Sequence, residues 1–188
     1  MENETFLNAN VFRELFAAPL MPYRDRVATL IFEFGAFGRS AFEEQAPFVE
    51  QLDRFLRELP EGFRYAVEVR NPEFLDAEYF GCLRSHGVAH VFNAWTRMPE
   101  LAVQTGLAGA YTADFTVVRA LLRHGRAYEE AVNRFKPYLH VQDPNPGARE
   151  AMRKLIERSR KQKQMSFLFV NNRLEGNAPE TIAGIVED

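Results

Sequence analysis

One stretch decides the fold: residues 63–93 read FRYAVEVRNPEFLDAEYFGCLRSHGVAHVFN. Residues 63–70 are a short run of largely apolar side chains that predicts a buried strand. Asp76 can cap a short helix, and His86-Gly87 ends it, because glycine adopts the left-handed conformation at little cost. Residues 88–93 predict the next strand. The stretch is therefore a strand–helix–strand unit, which is typical of a parallel sheet.

The same alternation continues on both sides of this unit. Further strands are predicted at 27–34, 114–120 and 165–171. Further helices are predicted after a capping box formed by Ser40 and Glu43, and at 98–105, 128–135, 148–161 and 178–186. This order predicts an α/β fold with about five parallel strands covered by helices. An open doubly wound sheet and a (β/α) barrel both have this order, and both place ligand sites beyond the carboxyl ends of the strands.

Composition narrows the class of protein. The chain has 188 residues, of which 46% are hydrophobic and 26% charged, and this balance predicts a single globular domain over residues 1–188. The net charge of -3 gives no overall attraction to nucleic acid or to anionic membranes. A lone cysteine, Cys82, excludes an internal disulfide and suits a reducing compartment. The sequence has no secretory signal and no apolar run near the ~20 residues that cross a bilayer, so we predict a cytoplasmic protein without a membrane partner.

Strand alternation selects the first candidate site residues. In the strand at 63–70, Val67 and Val69 share the face that should meet the helices, so Glu68 and Arg70 point to the opposite face. Glu33 takes the same position in the strand at 27–34. Buried carboxylates are costly unless they are paired. One interpretation is a structural ion pair, and the other is a substrate site in which Glu68 is the catalytic acid or base and Arg70 holds an anion.

The end of the last strand supplies a second set of candidates. Asn171 and Asn172 follow an apolar run, and their amide side chains can donate and accept hydrogen bonds. Asn177 can cap the helix at 178–186, whose first turn would offer free N–H groups to a phosphate or carboxylate. The alternative is a tight loop whose asparagines bond their own backbone.

Polar and aromatic residues follow two other strands. Asn71 comes directly after Arg70, and Asn93, Trp95 and Arg97 stand at the end of the strand at 88–93. An aromatic plane beside a cation is frequent in sugar and nucleotide sites, whereas the alternative is that Trp95 simply packs over the end of the sheet. We therefore include these residues and Glu33 among the candidate substrate-binding residues.

Two motifs carry a resemblance to a known family. The segments VNNRLEGNAP and YAVEVRNPEFLDAEYFGCLRSHGVAHVF resemble the YecE-like family of uncharacterised TIM-barrel proteins (domain of unknown function 72). The family has a glutamate-x-arginine strand end followed by a short helix, and a late asparagine pair followed by x-x-x-Gly-x-Ala. The residues that match these features are Glu68 and Arg70, and then Asn171, Asn172, Gly176 and Ala178.

The chain also departs from the family pattern. The family usually has a glutamine and a proline-rich turn after the strand at 27–34, where this chain has Glu33, Phe34 and Gly35. The family's early strands, with a Gly-Thr-Ser-Gly-Trp segment, have no counterpart here, and a closed barrel needs eight strands. The resemblance therefore implies an incomplete TIM-barrel-like fold made of the later βα units. We expect self-association through its open edge, or else a truncated gene product of marginal stability, with residues 6–20 packed at that edge as a helix through Leu7, Val11, Leu15 and Phe16.

Other chemistries are not favoured. The four histidines have no metal-ligand spacing, so no metal is predicted, and the cofactor stays unknown. Basic residues from Arg153 to Lys163 are interrupted by Glu157, which favours a solvated helix face over nucleic-acid binding. The leading hypothesis is an enzyme acting on a small anionic, phosphorylated or sugar-like substrate. A non-catalytic binding or adaptor module is the alternative, and nucleic-acid binding through the basic helix comes third.

Overall fold

The computed structural model of the protein describes residues 5–38, 42 and 45–187. An N-terminal helical segment, residues 9–26, precedes the alternation of strands and helices. It consists of α-helical turns at Ala9–Val11 and Ala18–Leu20, a π-helical stretch at Phe12–Ala17 and a 3₁₀ helix at Met21–Arg26. This segment lies beside the first strand of the sheet through the ring of Phe12, which packs on Phe32.

Five strands and the helices between them confirm the predicted α/β fold. The strands are β1 (Leu30–Phe34), β2 (Tyr65–Val69), β3 (Ala89–Ala94), β4 (Phe115–Ala120) and β5 (Met165–Val170). The α-helices that alternate with them are α1 (Gln45–Arg57), α2 (Ala77–Ser85), α3 (Leu101–Thr105), α4 (Tyr128–Phe135), α5 (Pro146–Gln162) and α6 (Ala178–Val186). A 3₁₀ turn at Pro72–Phe74 lies between β2 and α2.

Local capping groups explain where several of these elements begin and end. The Asp76 side chain accepts hydrogen bonds from the N–H groups of Glu78 and Tyr79, both at 3.0 Å, which confirms the predicted cap of α2. Gly87 ends that helix in the left-handed region, with φ of 63°. Helix α5 begins two residues earlier than predicted because Asn145 caps it and Pro146 takes its first position. The capping box predicted at Ser40 and Glu43 lies outside the described residues.

The five strands form one open parallel sheet in the order β1-β2-β3-β4-β5. β1 and β5 are its two edges, so the sheet is not closed into a barrel. It is strongly curved: Arg119 on β4 forms an ion pair with Glu33 on β1, although two strands lie between them. In a flat sheet these strands would be about 14 Å apart, three spacings of roughly 4.8 Å. The curvature therefore gives the sheet a concave inner face and an outer face covered by helices.

Side chains alternate between these two faces as the sequence predicts. Val67 and Val69 belong to the outer core, which is built with residues of α1, α2 and α5. The inner face carries a separate buried cluster made by the strands themselves, in which no helical residue of the described chain takes part. Its buried members are Ala66, Ala89, Val91, Phe115 and Val117. Glu68 and Arg70 lie on this inner face, beyond Ala66 and toward the carboxyl ends of the strands.

The N-terminal helical segment packs differently from the prediction. Leu7 contacts the outer core as expected, but Val11, Leu15 and Phe16 are exposed, so the predicted packing through these three residues is wrong. The inward position belongs to Phe12, whose ring contacts those of Phe32, Phe55 and Tyr65. The π-helical stretch changes the residue spacing from 3.6 per turn, which moves the apolar stripe away from the side predicted for a regular helix.

Candidate functional site

Four charged side chains meet on the inner face near the carboxyl ends of the strands. Glu33 comes from β1, Glu68 from β2, Arg70 directly follows β2, and Arg119 comes from β4. Arg70 bonds Glu33 Oε1 through Nη2 at 2.5 Å and Glu68 Oε1 through Nε at 3.1 Å. Nη1 of Arg119 donates to Glu33 Oε2 at 2.5 Å and also to Glu68 Oε2. Each carboxylate is thus shared by both guanidinium groups, in what we call the Glu–Arg cluster.

The four side chains differ sharply in exposure. The Glu68 side chain is fully buried, Arg70 and Arg119 are 14% and 22% exposed, and Glu33 is 39% exposed. Two carboxylates and two guanidinium groups sum to zero charge, and each oxygen of Glu68 has a partner. These contacts offset the free-energy cost of burying the Glu68 carboxylate. Burial opposes the charge on Arg119, but hydrogen bonds and attraction from Glu33 and Glu68 outweigh it and raise the pKa of Arg119. The Arg119 guanidinium therefore stays charged within the cluster.

Trp95 is part of the same site. It follows β3, and the Arg70 guanidinium carbon lies 3.9 Å from the centre of its ring, a close cation–π contact. The ring is half-buried and also packs against a small buried cluster of Leu122, Ala131 and Phe135. Trp95 therefore both packs over the end of the sheet and supports the guanidinium of Arg70. Arg97, two residues further on, is exposed and forms no hydrogen bond or ion pair within the described residues.

Asn93 and Asn71 use their amides mainly to hold the backbone. β2 and β3 pair only at Ala66–Ala89 and Val67–His90, and beyond that point Asn93 Nδ2 donates to the Val69 carbonyl at 3.1 Å. Asn93 Oδ1 is buried without a partner in the described residues. Asn71 accepts from the Phe37 N–H at 2.7 Å and so fixes the loop after β1.

The asparagines after β5 are also engaged with their own loop. Asn171 Oδ1 accepts from the Arg173 N–H at 3.0 Å, and Asn172 Oδ1 accepts from the Ala178 N–H at 2.8 Å. Asn177 caps α6 as predicted, by accepting from the Glu180 N–H at 2.8 Å. Residue 179 is a proline and has no N–H. The first-turn amides on which an anion site would depend are therefore already bonded, and this geometry agrees with the loop alternative.

An open cavity of about 340 Å³ lies beside the Glu–Arg cluster and touches both edge strands. Its polar lining consists of Glu33, Arg119 and Asn171, and its apolar lining of Ile31, Leu121, Phe169 and Val170. Both ion pairs of Arg119 use Nη1, so its Nε and Nη2 have no partner within the described part of the chain. A polar ligand in this cavity would therefore meet free donors, a carboxylate and an amide.

A larger groove of about 540 Å³ runs along β1, between the strand and the N-terminal helical segment. It is mostly apolar, and among the described residues that line it Glu33 carries the charge. Size alone would favour this groove as the ligand site, but it lacks the convergent polar groups that orient a small molecule. The smaller cavity combines both charge signs with an amide, and we therefore take it as the candidate site.

Sequence reasoning missed Arg119, although the signal was available. The alternation that places Glu68 on the inner face of β2 also places Phe115, Val117 and Arg119 on the inner face of β4. It also missed Glu175, whose buried carboxylate bonds the Arg149 guanidinium, the Thr181 hydroxyl and the Asn145 N–H. Burial alone would raise the pKa of Glu175, but these hydrogen bonds lower it overall. Glu175 anchors the loop after β5 to the start of α5.

Three other features concern partners and metals. Within the described ranges, no helix is long and apolar enough to cross a membrane. The same residues contain no group of three or more His, Cys, Asp or Glu side chains arranged to hold a metal ion. Several basic side chains of α5 have partners in this chain: Arg158 lies 3.6 Å over the ring of Tyr111, and Lys154 pairs with Glu150 at 3.3 Å.

Two solved structures resemble this fold. One is a DUF72 family protein from Thermotoga maritima, with a TM-score of 0.63 and 17% identity, over 95% of this chain and 62% of that chain. The other is a DUF72 family protein from Enterococcus faecalis, with a TM-score of 0.65 and 13% identity, over 96% of this chain and 65% of that chain. This chain thus spans less than two thirds of the length of either protein.

Sequence comparison gives the family directly. Residues 3–188 match the family described as "Protein of unknown function DUF72". A comparison with curated proteins finds no match. The family match confirms the resemblance drawn from the glutamate-x-arginine strand end and the late asparagine pair. Because it extends over nearly the whole sequence, the chain belongs to the DUF72 family.

Proposed function

We propose that the cavity beside the Glu–Arg cluster binds a small polar ligand that carries an anionic group, such as a carboxylate or a phosphate on a sugar-like body. The observation that carries this proposal is Arg119, which lines the cavity while Glu33 and Glu68 fix its Nη1. A guanidinium whose orientation is already fixed loses little side-chain entropy when it binds an anion. Asn171 and the ring of Phe169 lie on the other side of the cavity, where they can contact the rest of the ligand.

Binding is better supported than a catalytic role for Glu68. Both Glu68 oxygens are engaged by guanidinium groups, and the residue is absent from the cavity lining. A general acid or base must reach the proton that it transfers. If the protein is an enzyme, Glu33 is the better placed carboxylate because it is partly exposed in the cavity, and Arg70 acts by positioning it. The alternative remains a non-catalytic binding module on the same scaffold.

The remaining parts of the proposal concern context. We propose that the open sheet is part of a barrel-like (β/α) arrangement, which its curvature and the greater length of the two similar proteins support. Its free strand edges are surfaces at which a second copy of the chain could pair. A cytoplasmic setting is proposed from the unpaired Cys82, and we do not propose nucleic acid as a partner.

Thermal melts with a small ligand panel test the binding proposal. The panel contains inorganic phosphate, glucose 6-phosphate, glucose and potassium chloride. The effect of the phosphate group on the Tm can therefore be distinguished from that of the sugar. A ligand at a hundred times its Kd stabilises the folded state by about 2.7 kcal/mol. We expect glucose 6-phosphate or phosphate to raise the Tm of the wild type, and Arg119→Met to abolish the rise.

The matched control is Arg54→Met, which removes an exposed arginine from α1. Arg54→Met should show the same ligand-induced rise in Tm as the wild type. The general stabilisation by excluded salts should be equal in the wild type, Arg119→Met and Arg54→Met. A phosphate-dependent rise that survives unchanged in Arg119→Met would refute the proposed site.

A further inference from the structure

Glu33 differs from the other members of the Glu–Arg cluster in its surroundings. Its carboxylate is 39% exposed and lines the candidate cavity, whereas Glu68 is fully buried. Its two oxygens each hold one arginine: Oε1 contacts Arg70 Nη2 and Oε2 contacts Arg119 Nη1, both at 2.5 Å. The Glu33 carboxylate therefore bridges the two guanidinium groups at the side of the cluster that faces the cavity.

The charges show what this bridge does. Without Glu33, the two guanidinium groups would face only the single negative charge of Glu68, leaving an excess of one positive charge beside the cavity. A ligand carboxylate carries the same single negative charge as the Glu33 side chain, a phosphate monoester carries about -1.5 to -2 at pH 7, and either offers two oxygens that can bridge the guanidinium groups. Glu33 thus occupies the position at which an incoming anion would gain most.

The Glu33 carboxylate can be displaced from the two arginines at lower cost than the Glu68 carboxylate. β1 is an edge strand with a strand neighbour on one side only, and a Cβ added at Gly35, two residues after Glu33, would meet no atom of the described residues within 4 Å. A departing Glu33 carboxylate would be solvated by water, so its displacement leaves no buried charge behind. Removal of Glu68 from its partners would leave a buried carboxylate unpaired, which is far more costly.

We propose that Glu33 is a built-in competitor for the anionic group of the ligand and sets the selectivity of the site. In the free protein it neutralises Arg70 and Arg119. A ligand anion that bridges both arginines displaces it, while a neutral sugar cannot, because displacement by a neutral group would leave the excess positive charge uncompensated. This inference rests on the proposed binding function and names the residue that controls it.

The test measures the affinity of inorganic phosphate and of glucose 6-phosphate by calorimetry in the wild type, Glu33→Ala and Glu33→Gln. Glu50→Ala is the matched control, because Glu50 also pairs with an arginine but lies on the exposed side of α1. We expect both Glu33 variants to bind phosphate at least about tenfold more tightly than the wild type, and Glu50→Ala to bind as the wild type does. The Gln variant keeps the side-chain volume and guards against a folding defect in the Ala variant.

Acetate supplies an independent readout. It can fill the vacant carboxylate position in Glu33→Ala, so it should raise the Tm of that variant more than that of the wild type or of Glu50→Ala. Equal phosphate affinity in wild type and both Glu33 variants, with no selective acetate effect, would overturn the inference. The binding proposal has a separate failure, namely a phosphate response that does not depend on Arg119.

Discussion

Replacement of Arg119 by methionine is the sharpest test of how the Glu–Arg cluster is held. Methionine keeps the aliphatic length of the side chain but removes its charge and its donors. Glu68 then loses the partner of Oε2 and, within the part of the chain that the structure describes, keeps Arg70 on Oε1 at 3.1 Å. Glu33 loses the same partner, but its carboxylate is partly exposed, so water can replace the lost hydrogen bond.

The magnitude follows from the burial of Glu68. Leaving a buried charge without any partner costs about 3–5 kcal/mol. Because Arg70 remains in contact with Glu68, we expect the free energy of unfolding to fall by less, about 2–3 kcal/mol. For a chain of this size each kcal/mol lowers the Tm by about 2–4 °C, so the Tm should fall by roughly 4–12 °C.

Urea denaturation and thermal melts of three variants measure this effect. Arg54→Met is the control: it breaks an exposed pair with Glu50 and should change stability by no more than about 0.5 kcal/mol. The double variant Glu68→Met/Arg119→Met removes both the buried carboxylate and its partner, and it should be more stable than Arg119→Met alone. A loss in Arg119→Met no greater than that in Arg54→Met, or no recovery in the double variant, would refute the reasoning.

Four further predictions concern other parts of the chain. Burial lowers the pKa of His90 to about 3. The unfolded chain therefore binds a proton that the folded chain does not, so the free energy of unfolding should fall as pH drops from 6.5 toward 3, by up to about 1.4 kcal/mol per pH unit. In urea titrations, His90→Phe should reduce this slope between pH 6 and 5. Glu175→Gln should cost about 2–4 kcal/mol in chemical denaturation, because the partly buried Arg149 loses the charge of the fully buried Glu175 carboxylate. Asn177→Ala should lower the free energy of unfolding by about 1 kcal/mol through loss of the helix cap, and it should leave the phosphate-induced Tm shift unchanged. A reduced shift would instead support the predicted anion site at the start of α6. The exposed Leu15 and Phe16 lie beside the β1 edge and should support self-association. Light scattering should detect a species larger than the monomer, and the double variant Leu15→Glu/Phe16→Glu should reduce the amount of that larger species. A monomer at all concentrations would contradict this prediction.

Much of the local structure follows from the sequence alone. Apolar runs identify all five strands: β2 and β3 are buried along their whole length, and the edge strands β1 and β5 are partly exposed but still apolar at most positions. Asp76, Gly87 and Asn177 mark helix ends correctly, since a cap needs only a side chain and the backbone amides or dihedral angles within a few residues of it. The period of two along a strand likewise predicts that Glu68 lies on the face opposite Val67 and Val69.

The candidate site itself depends on contacts that no local pattern encodes. Glu33 and Arg119 are 86 positions apart and meet only because the sheet is curved enough to bring β1 and β4 together. The asparagines at the strand ends could equally have faced a ligand, but Asn172 and Asn177 are taken up by backbone groups whose positions depend on how the loop after β5 folds. The sequence determined which side chains reach the inner face, because alternation is a property of each strand. Tertiary structure decided which of them pair and which face the cavity, because strand register and sheet curvature depend on packing across the whole sheet.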